Sequence, residues 1–334
     1  MRPMTVRPRF PGAWMVLVGL LAGCAGGPEH APAPGWVHGE PAADYPESAW
    51  LTGSGRAARL AEARNLARAE LASRFQVAVV AETRDEAREV GGELSRAVGH
   101  RVRTRTDELL TGARIAEVWR DPDDGAYHAL AVLDREQAAT GLRETITELD
   151  RATETYLREA ATTDDGLAVV AALTRALEAQ RTRRELQPRL QVLDPAGRGL
   201  PARHRPSELA EERRATLAGL RVAAEVAGGD NGTAQRALAG ALANLGLEVV
   251  ADGVADYRVS ATLEMADRGL RDGWYWYEGE VVLRIVEPDG DTRSETRHAL
   301  RASATDAATA RQRVLARAAG LFEEALPALL WGKD

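Results

Sequence analysis

The sequence predicts an α+β protein: two small mixed modules joined by a helical hairpin, after a signal peptide and a flexible tether. Three observations support this fold class. Alternating apolar and polar runs, typical of strands, occur in two separate parts of the chain. Segments with apolar residues three and four positions apart, typical of helices, lie beside and between them. Proline- and glycine-rich stretches separate these regions. The predicted divisions are 1–23 (signal peptide), 24–44 (lipidated cysteine and linker), 45–135 (first module), 136–186 (helical hairpin), 187–206 (second linker) and 207–331 (C-terminal module).

The chain begins with a basic, then an apolar, then a small-residue segment, which is the order typical of an export signal. The apolar part is too short to predict a membrane span. The sequence Leu21-Ala22-Gly23-Cys24 follows and resembles the lipobox of bacterial lipoproteins. In that family the cysteine is acylated and the preceding peptide is removed, which implies that Cys24 anchors the protein in a membrane. An ordinary cleaved signal with a chance cysteine, or a buried N-terminal helix, is the alternative interpretation.

The charge and the cysteine content exclude several classes of protein. The formal net charge is −7, and removal of the three arginines of the signal gives −7 − 3 = −10. Because nucleic-acid binding requires a dense cationic surface, we expect no nucleic-acid partner. The chain has one cysteine, so a lipidated Cys24 leaves no thiol for a disulfide or a metal site. The glycine-, proline- and alanine-rich stretch 25–44 predicts an extended tether that spans a periplasmic gap.

The first module starts with an apolar stretch and Gly53-Ser54-Gly55, which predict a short strand running into a glycine turn. Residues 57–75 then follow a helical pattern, and the valine-rich run 76–83 predicts a second strand. The charged stretch 85–105 indicates a helix or a mobile excursion. Two alternating segments, 113–119 and 127–133, flank the turn residues 121–125 and predict a β-hairpin.

Residues 45–135 resemble the Lpp-twenty family of outer-membrane lipoproteins. The matching segments are 45–46, 50–55, 61–72 and 77–79. A related module forms the N-terminal part of flagellar assembly protein T. The resemblance implies an envelope location and a role in building a surface or motility structure. It implies no reaction, because these motifs determine the fold and include no catalytic residue.

The rest of the chain predicts a helical hairpin and a second module. Two apolar stripes within 136–184 are separated by Thr163-Asp164-Asp165-Gly166, a turn that also offers an N-cap. Ser207 is the predicted N-cap of the next helix, and Pro327 is predicted to end or kink the last one. Between them the order strand, helix, four strands and helix predicts an α+β sandwich with helices on one face. The predicted strands are 222–226, 247–250, 257–265, 274–286 and 292–301, and the predicted helices begin near 233 and 305.

The C-terminal module also loosely resembles the outer-membrane lipoprotein activators of penicillin-binding proteins. The likeness rests on residues 246–250 and on Ala255-Asp256-Tyr257, followed by an alternating strand. It implies an alternative function, the regulation of a peptidoglycan synthase through protein contact.

Candidate catalytic and ligand-binding motifs are weak. Gly53-Ser54-Gly55 with Ala58, and Glu82 further on, match a loose dinucleotide fingerprint, but no repeated βαβ units follow, so we interpret the glycines as a tight turn. The histidines show no metal-ligand spacing, and the aspartates of 121–124 lack that of a calcium loop. We therefore expect no cofactor, no metal, no small-molecule substrate and no enzyme. A periplasmic enzyme of unknown chemistry is the third hypothesis.

One aromatic cluster, Trp274-Tyr275-Trp276-Tyr277, is the candidate partner-binding site. On a strand the two tryptophans face one side of the sheet and the two tyrosines face the other. One pair can anchor the core, and the other can lie exposed and contact a partner. The alternative is a strand buried on both faces. Replacement of Tyr275 and Tyr277 by serine is the test that the sequence suggests.

These features predict a non-enzymatic lipoprotein on the periplasmic face of the outer membrane. Ala25 follows Cys24 where the family pattern for inner-membrane retention would have aspartate, which implies the outer membrane. The expected function is to bind a periplasmic or outer-membrane protein and to assemble an envelope structure, flagellar or surface machinery first.

Overall fold

The computed structural model describes residues 32–90, 112–228 and 231–332. It confirms an α+β fold with a three-stranded and a five-stranded sheet. The predicted signal peptide, the lipobox residues Leu21, Ala22 and Gly23, and Cys24 lie outside these residues. None of the helices in the described ranges is long and apolar enough to cross a bilayer.

The first sheet is antiparallel, with strand order β1-β3-β2. Its strands are β1 (Trp50–Ala57), β2 (Arg114–Arg120) and β3 (Tyr127–Asp134), so the predicted hairpin is confirmed. Helix α1 (Leu60–Val90) packs on one face of this sheet. The side chains that α1 buries recur every four residues along one stripe: Ala63, Ala67, Leu71, Phe75 and Val79.

Gly53 and Gly55 lie inside β1, and the prediction of a glycine turn at this point was wrong. Both glycines face α1. A Cβ atom on Gly53 would lie 2.3 Å from the backbone nitrogen of Leu71, and one on Gly55 would lie 2.3 Å from that of Ala67. The missing side chains therefore let the helix backbone approach the strand directly. The glycines therefore serve the contact between helix and strand and do not form the strand-to-helix turn that the dinucleotide fingerprint requires.

The strand predicted at 76–83 is also wrong, because α1 continues through it. Val79 is 4% exposed and extends the stripe of Phe75 by one helical turn, whereas Val77 is 67% exposed. Packing of the stripe on the sheet overrides the strand preference of the valines. The stretch predicted as a helix or excursion, 85–105, lies in α1 as far as Val90 and otherwise outside the described residues.

Residues 34–45, here named the strap, pack on the opposite face of the first sheet. The strap contains a short 3-10 turn, Gly35–His38, and buries Trp36 and Ala42 against Leu130 and Val132 of β3. Residues 34–44, which the sequence predicts as part of the linker, therefore belong to the folded first module. The glycine- and proline-rich composition of this segment predicts a linker, but Trp36 and Ala42 hold it to the sheet.

The helical hairpin consists of α2 (Arg135–Ala161) and α3 (Gly166–Leu193). The predicted end at residue 186 is too early, because α3 continues through the buried Pro188. The N-terminal turns of α3 contribute Leu167 and Val170 to the C-terminal core. Its last turns contribute to the core beneath α1. At about 1.5 Å per residue α3 is roughly 42 Å long, so one helix connects both cores.

A buried polar network fixes the two helices of the hairpin to each other and to the chain that follows. Arg183 is 3% exposed. It donates to Asp150 Oδ1 at 2.9 Å and to the carbonyl oxygens of Leu200 and Pro201 at 2.9 and 3.0 Å. Because each N–H group requires a specific acceptor, the network favours one register of the helices.

The C-terminal module contains the predicted order of elements. Its five-stranded sheet has the order β5-β4-β6-β7-β8, with β4 parallel to β5 and β6 and the remaining pairs antiparallel. The last two helices pack on one face, as predicted. The elements are α4 (Pro206–Ala218), β4 (Arg221–Ala227), α5 (Asn231–Asn244), β5 (Glu248–Val250), β6 (Tyr257–Arg271), β7 (Trp274–Val286), β8 (Thr292–Ala304) and α6 (Ala307–Trp331).

Two predicted helix ends differ from the structure. Helix α4 begins at Pro206 with Arg205 as its N-cap, so Ser207 lies inside the first turn. Proline suits this position because the first turn of a helix leaves its N–H groups unpaired. Helix α6 continues past Pro327 to Trp331, so this proline does not end it.

Candidate functional site

The aromatic cluster lies at the end of the second sheet that extends beyond β4. Strand β4 pairs with β6 only as far as Thr262, and residues 263–271 of β6 continue past it. The turn from β6 to β7 is Asp272-Gly273, with φ angles of 51° and 80°. Two positive φ angles at an Asp-Gly pair are typical of a type I′ turn, which keeps a hairpin tight. We name residues 269–276 the hairpin tip.

The two faces of β7 differ, as the alternation predicts. Tyr277 faces α6 and packs against the C-terminal core. Loss of solvation and the nearby Asp267 carboxylate raise the pKa of Tyr277. On the other face Trp274 is 45% exposed and Trp276 is half-buried. The pair selected for testing from the sequence was therefore the wrong one, because Tyr275 and Tyr277 lie on the core side and the tryptophans face outward.

Trp276 lies in a cluster of charged side chains. The guanidinium carbon of Arg301 is 4.3 Å from the centroid of the Trp276 ring, which is a close cation–π contact. Glu278, two residues further along the same face, pairs with Arg301 at 3.3 Å and with Arg268 at 3.1 Å. Exposed ion pairs of this kind contribute little to stability. They hold the tryptophan ring in one orientation on the open face of the sheet.

The same face continues as a row of ion pairs on β7 and β8. Glu295 accepts hydrogen bonds from Arg284 and from Arg297, and these bonds lower the pKa of Glu295. Arg258 of β6 approaches Glu225 of β4 at 3.8 Å. The open face is therefore charged along its length and aromatic at the projecting end.

The hairpin tip also exposes an apolar residue that the sequence interpretation missed. Leu270 is 58% exposed and lies opposite Tyr275 in the β6–β7 register. The Asp-Gly turn signal at 272–273 would have indicated that residues 270 and 275 are cross-strand neighbours. Leu270 and Trp274 therefore expose large apolar side chains on opposite faces of the same tight turn.

A second polar cluster joins the helical hairpin to the C-terminal sheet. Asp165 caps α3 by accepting from the backbone N–H groups of Leu167 and Ala168 at 3.0 and 3.2 Å. It also accepts from the hydroxyl of Tyr257 at 2.6 Å and from Arg293. Burial and the Asp165 hydrogen bond raise the pKa of Tyr257 to about 12. Burial opposes ionisation of Asp165, but the bonds from Tyr257 and Arg293 outweigh it and lower the pKa of Asp165. The cluster is a structural joint.

The described residues offer little for catalysis or metal binding. They contain no group of three or more His, Cys, Asp or Glu side chains that could hold a metal ion. A groove of about 320 Å³ lies beside the first turns of α2, lined by Leu133, Gln137, Leu142 and Thr145 among others. Its carboxylate, Asp134, is occupied as the N-cap of α2. The groove therefore lacks convergent ionisable groups.

Comparisons with solved structures return proteins of low sequence identity. The secreted protein HP1454 from Helicobacter pylori is 13% identical with a TM-score of 0.46, and the match covers 84% of this chain and 98% of that one. A minor lipoprotein from Acinetobacter baumannii is 13% identical with a TM-score of 0.27, over 33% and 89% of the two chains. Rare lipoprotein B from Shewanella oneidensis is 10% identical with a TM-score of 0.24, over 33% and 90%.

No curated protein sequence matches the chain. Residues 34–134, however, match the family described as LPP20 lipoprotein. The match begins at the first residue of the strap and ends with β3, so it covers both layers that enclose the first sheet. The segment from the strap to β3 is therefore similar to an LPP20 lipoprotein module.

Proposed function

We propose that the protein is a non-enzymatic lipoprotein, anchored through Cys24 at the periplasmic face of the outer membrane, that binds a protein partner with its hairpin tip. The observation that carries this proposal is the exposure of Leu270 and Trp274, 58% and 45%, on one tight hairpin. Tryptophan is enriched among the residues that dominate binding energy in protein interfaces. Burial of a large apolar side chain contributes about 1.5–3 kcal/mol, so a partner that encloses the tip gains this contribution from one residue on each face.

The rigidity of the tip supports a binding role. The two-residue turn and the continuous pairing of β6 with β7 hold Leu270 and Trp274 in place before a partner arrives. Binding to a preorganised surface costs less conformational entropy than the ordering of a loop. The Arg301 and Glu278 side chains beside Trp276 provide polar contacts on the face that exposes Trp274.

The arrangement of anchor and tip supports a protein that reaches a partner. The strap fixes the N-terminal end of the first module, and α3 connects this module to the second core over roughly 42 Å. Residues 24–33, if extended at about 3.1 Å each, add roughly 30 Å between the lipid and the strap. The tip can therefore work at a distance from the membrane that holds Cys24.

The anchor is tested by Cys24→Ser. Because the thiol is the acylation site in the lipobox pattern, the variant should lose labelling by fatty-acid analogues and should leave the membrane fraction. Persistent labelling of the variant would contradict lipidation at this position.

The binding surface is tested by crosslinking in cells from a photoreactive residue placed at position 272 of the full-length chain. We expect a protein to be captured, and we expect the double variant Leu270→Ser/Trp274→Ser to reduce that capture at least tenfold. Leu66→Ser is the matched control, because Leu66 is also a large apolar residue, 46% exposed, but lies on α1. Equal capture by the double variant and the control would rule out the tip as the interface.

The identity of the captured protein decides between the two partner classes. Flagellar or surface machinery is proposed first, because the N-terminal module resembles that of flagellar assembly protein T. The loose likeness of the C-terminal module to activators of penicillin-binding proteins supports the alternative, a peptidoglycan synthase. Capture of a synthase would replace the assembly role with a regulatory one.

A further inference from the structure

His128 is a buried titratable side chain on the face of the first sheet that the strap covers. It is 9% exposed, and its Nε2 atom has no hydrogen-bond partner. The ring lies against Trp119 of β2, with 5.4 Å between the ring centroids. A buried ring nitrogen without a partner is uncommon and costs free energy, so the surrounding structure must favour this position.

Charged and aromatic groups from β1, β2, the β2–β3 turn and the strap lie around His128. Arg56 is its register partner on β1, and Trp119 is its partner on β2. Asp121 and Asp124 approach from the β2–β3 turn, and His38 approaches from the strap. Asp124 is already paired with Arg56.

These surroundings favour the neutral imidazole. Burial, followed by the positive charge of Arg56, lowers the pKa of His128, and His38 acts in the same direction. Asp121 and Asp124 oppose the shift without cancelling it. A proton on His128 would therefore place a second positive charge beside Arg56, on a side chain that is largely removed from water.

The strap is held over this site by few polar contacts. Near His128, Trp36 donates its indole N–H to Glu117 at 2.6 Å. At the far end Tyr45 packs edge-on against Trp50, with 5.3 Å between the centroids. Between these points the strap relies on Trp36 and Ala42 packing against β3.

We propose that His128 makes closure of the strap depend on pH, so that protonation of the buried imidazole opens the strap from its N-terminal end. With the strap open, the imidazolium gains contact with water. Opening is then linked to the uptake of one proton.

The sign of the effect follows from this linkage. The closed strap lowers the affinity of His128 for a proton, so closure is independent of pH above the ordinary histidine value of about 6.5. As the pH falls below that value, the closure constant decreases by up to about tenfold per pH unit. The decrease ends when the closed form is itself protonated.

Opening would change the reach of the anchored protein. Residues 34–45, released and extended, add roughly 35 Å to the tether at about 3.1 Å per residue. This consequence rests on the proposed lipid anchor at Cys24. The opening itself concerns the first module alone and does not depend on binding at the hairpin tip.

The test is hydrogen–deuterium exchange of the full-length chain at pH 7.5 and 5.5, corrected for intrinsic exchange rates. We expect exchange in residues 34–45 to rise between about threefold and tenfold at the lower pH, with no change in α6. His128→Phe retains an aromatic ring on Trp119 without the proton site, so its strap exchange should not depend on pH. His204→Gln, in the loop before α4, is the control and should behave as the wild type.

Two results would overturn the proposal. One is wild-type strap exchange that is the same at both pH values, and the other is a pH-dependent rise that persists in His128→Phe. Histidine ring NMR of the wild type provides a measurement that needs no folded variant at position 128. A titration midpoint for His128 at or above about 6.5 would also contradict the proposal.

Discussion

The two sheets of the protein differ in how many of their faces are covered. The three-stranded sheet is enclosed by α1 on one face and by the strap on the other. The five-stranded sheet packs against α5 and α6 on one face, and its other face carries arginine–glutamate pairs and two tryptophans. The first sheet is therefore covered on both faces, whereas the second sheet leaves one face open to solvent.

The sequences of the central strands, β3 and β7, reflect how many faces of each sheet are covered. Residues 128–133 of β3 are buried on both faces, and the strand is apolar at nearly every one of these positions. Strand β7 alternates, with Val281, Leu283 and Ile285 in the core and Glu278 and Arg284 on the open face. A strand that is covered on both sides loses the alternation that a half-exposed strand retains.

The largest loss of stability should come from a substitution that inserts a side chain between β1 and α1. In Gly55→Ala the new methyl group would lie 2.3 Å from the nitrogen of Ala67 and 2.4 Å from the carbonyl oxygen of Ala63. Backbone atoms cannot rotate away, so strand and helix must separate. We expect a loss of about 3 kcal/mol or more in the free energy of unfolding, measured by urea denaturation.

Gly141→Ala is the matched control for this substitution. Apart from its own helix backbone, no heavy atom lies within 4 Å of a Cβ atom at Gly141, which is in the second turn of α2. Alanine there should be neutral or should stabilise by up to about 1 kcal/mol, because glycine is a poor helix former. If Gly55→Ala lowers the free energy of unfolding no more than Gly141→Ala changes it, then α1 does not pack directly on the first sheet.

The glycines also show how far sequence reasoning could reach. The β2–β3 hairpin and the strands of the C-terminal module were predictable, since alternation and turn residues are local signals. Gly53 and Gly55 were interpreted as a turn, because the approach of α1 is a tertiary contact. The strand predicted from the valines around Val79 was wrong for the same reason, and so was the linker predicted at Trp36.

The candidate site was predictable in part. Alternation correctly separates the tryptophans from the tyrosines on β7, but it does not show which face α6 covers. Burial of His128 was not predictable, since no local pattern in the sequence reveals that the strap lies over it.

An intermediate effect is expected at the joint between the helical hairpin and the second sheet. Asp165→Ala removes the cap of α3 and the acceptor of Tyr257 and Arg293, and should cost about 2 kcal/mol at pH 7. Asp134→Ala is the control in the first module, where the carboxylate accepts from Gln137 N in the cap of α2, and should cost about 1 kcal/mol.

The pH dependence of the Asp165 effect has a definite sign. Because the folded protein lowers the pKa of Asp165, its contribution is complete above the unfolded value of about 3.9. It is lost as the pH falls through the folded value. The difference in unfolding free energy between wild type and Asp165→Ala should therefore shrink below about pH 4. A difference that stays constant down to pH 2.5 would show that the charge does not contribute to the joint.

The smallest effect on stability should arise on the open face. Arg301→Gln removes the cation from above Trp276 and one partner of Glu278, and should cost about 0.5–1 kcal/mol, since both contacts are open to water. Arg59→Gln is the control, because Arg59 has a side chain that is 84% exposed and only a distant contact with Glu62. Urea denaturation followed by tryptophan fluorescence measures both. A loss above about 2 kcal/mol for Arg301→Gln alone would indicate that this face is buried in solution, and the contrast between a covered and an open sheet would then be wrong.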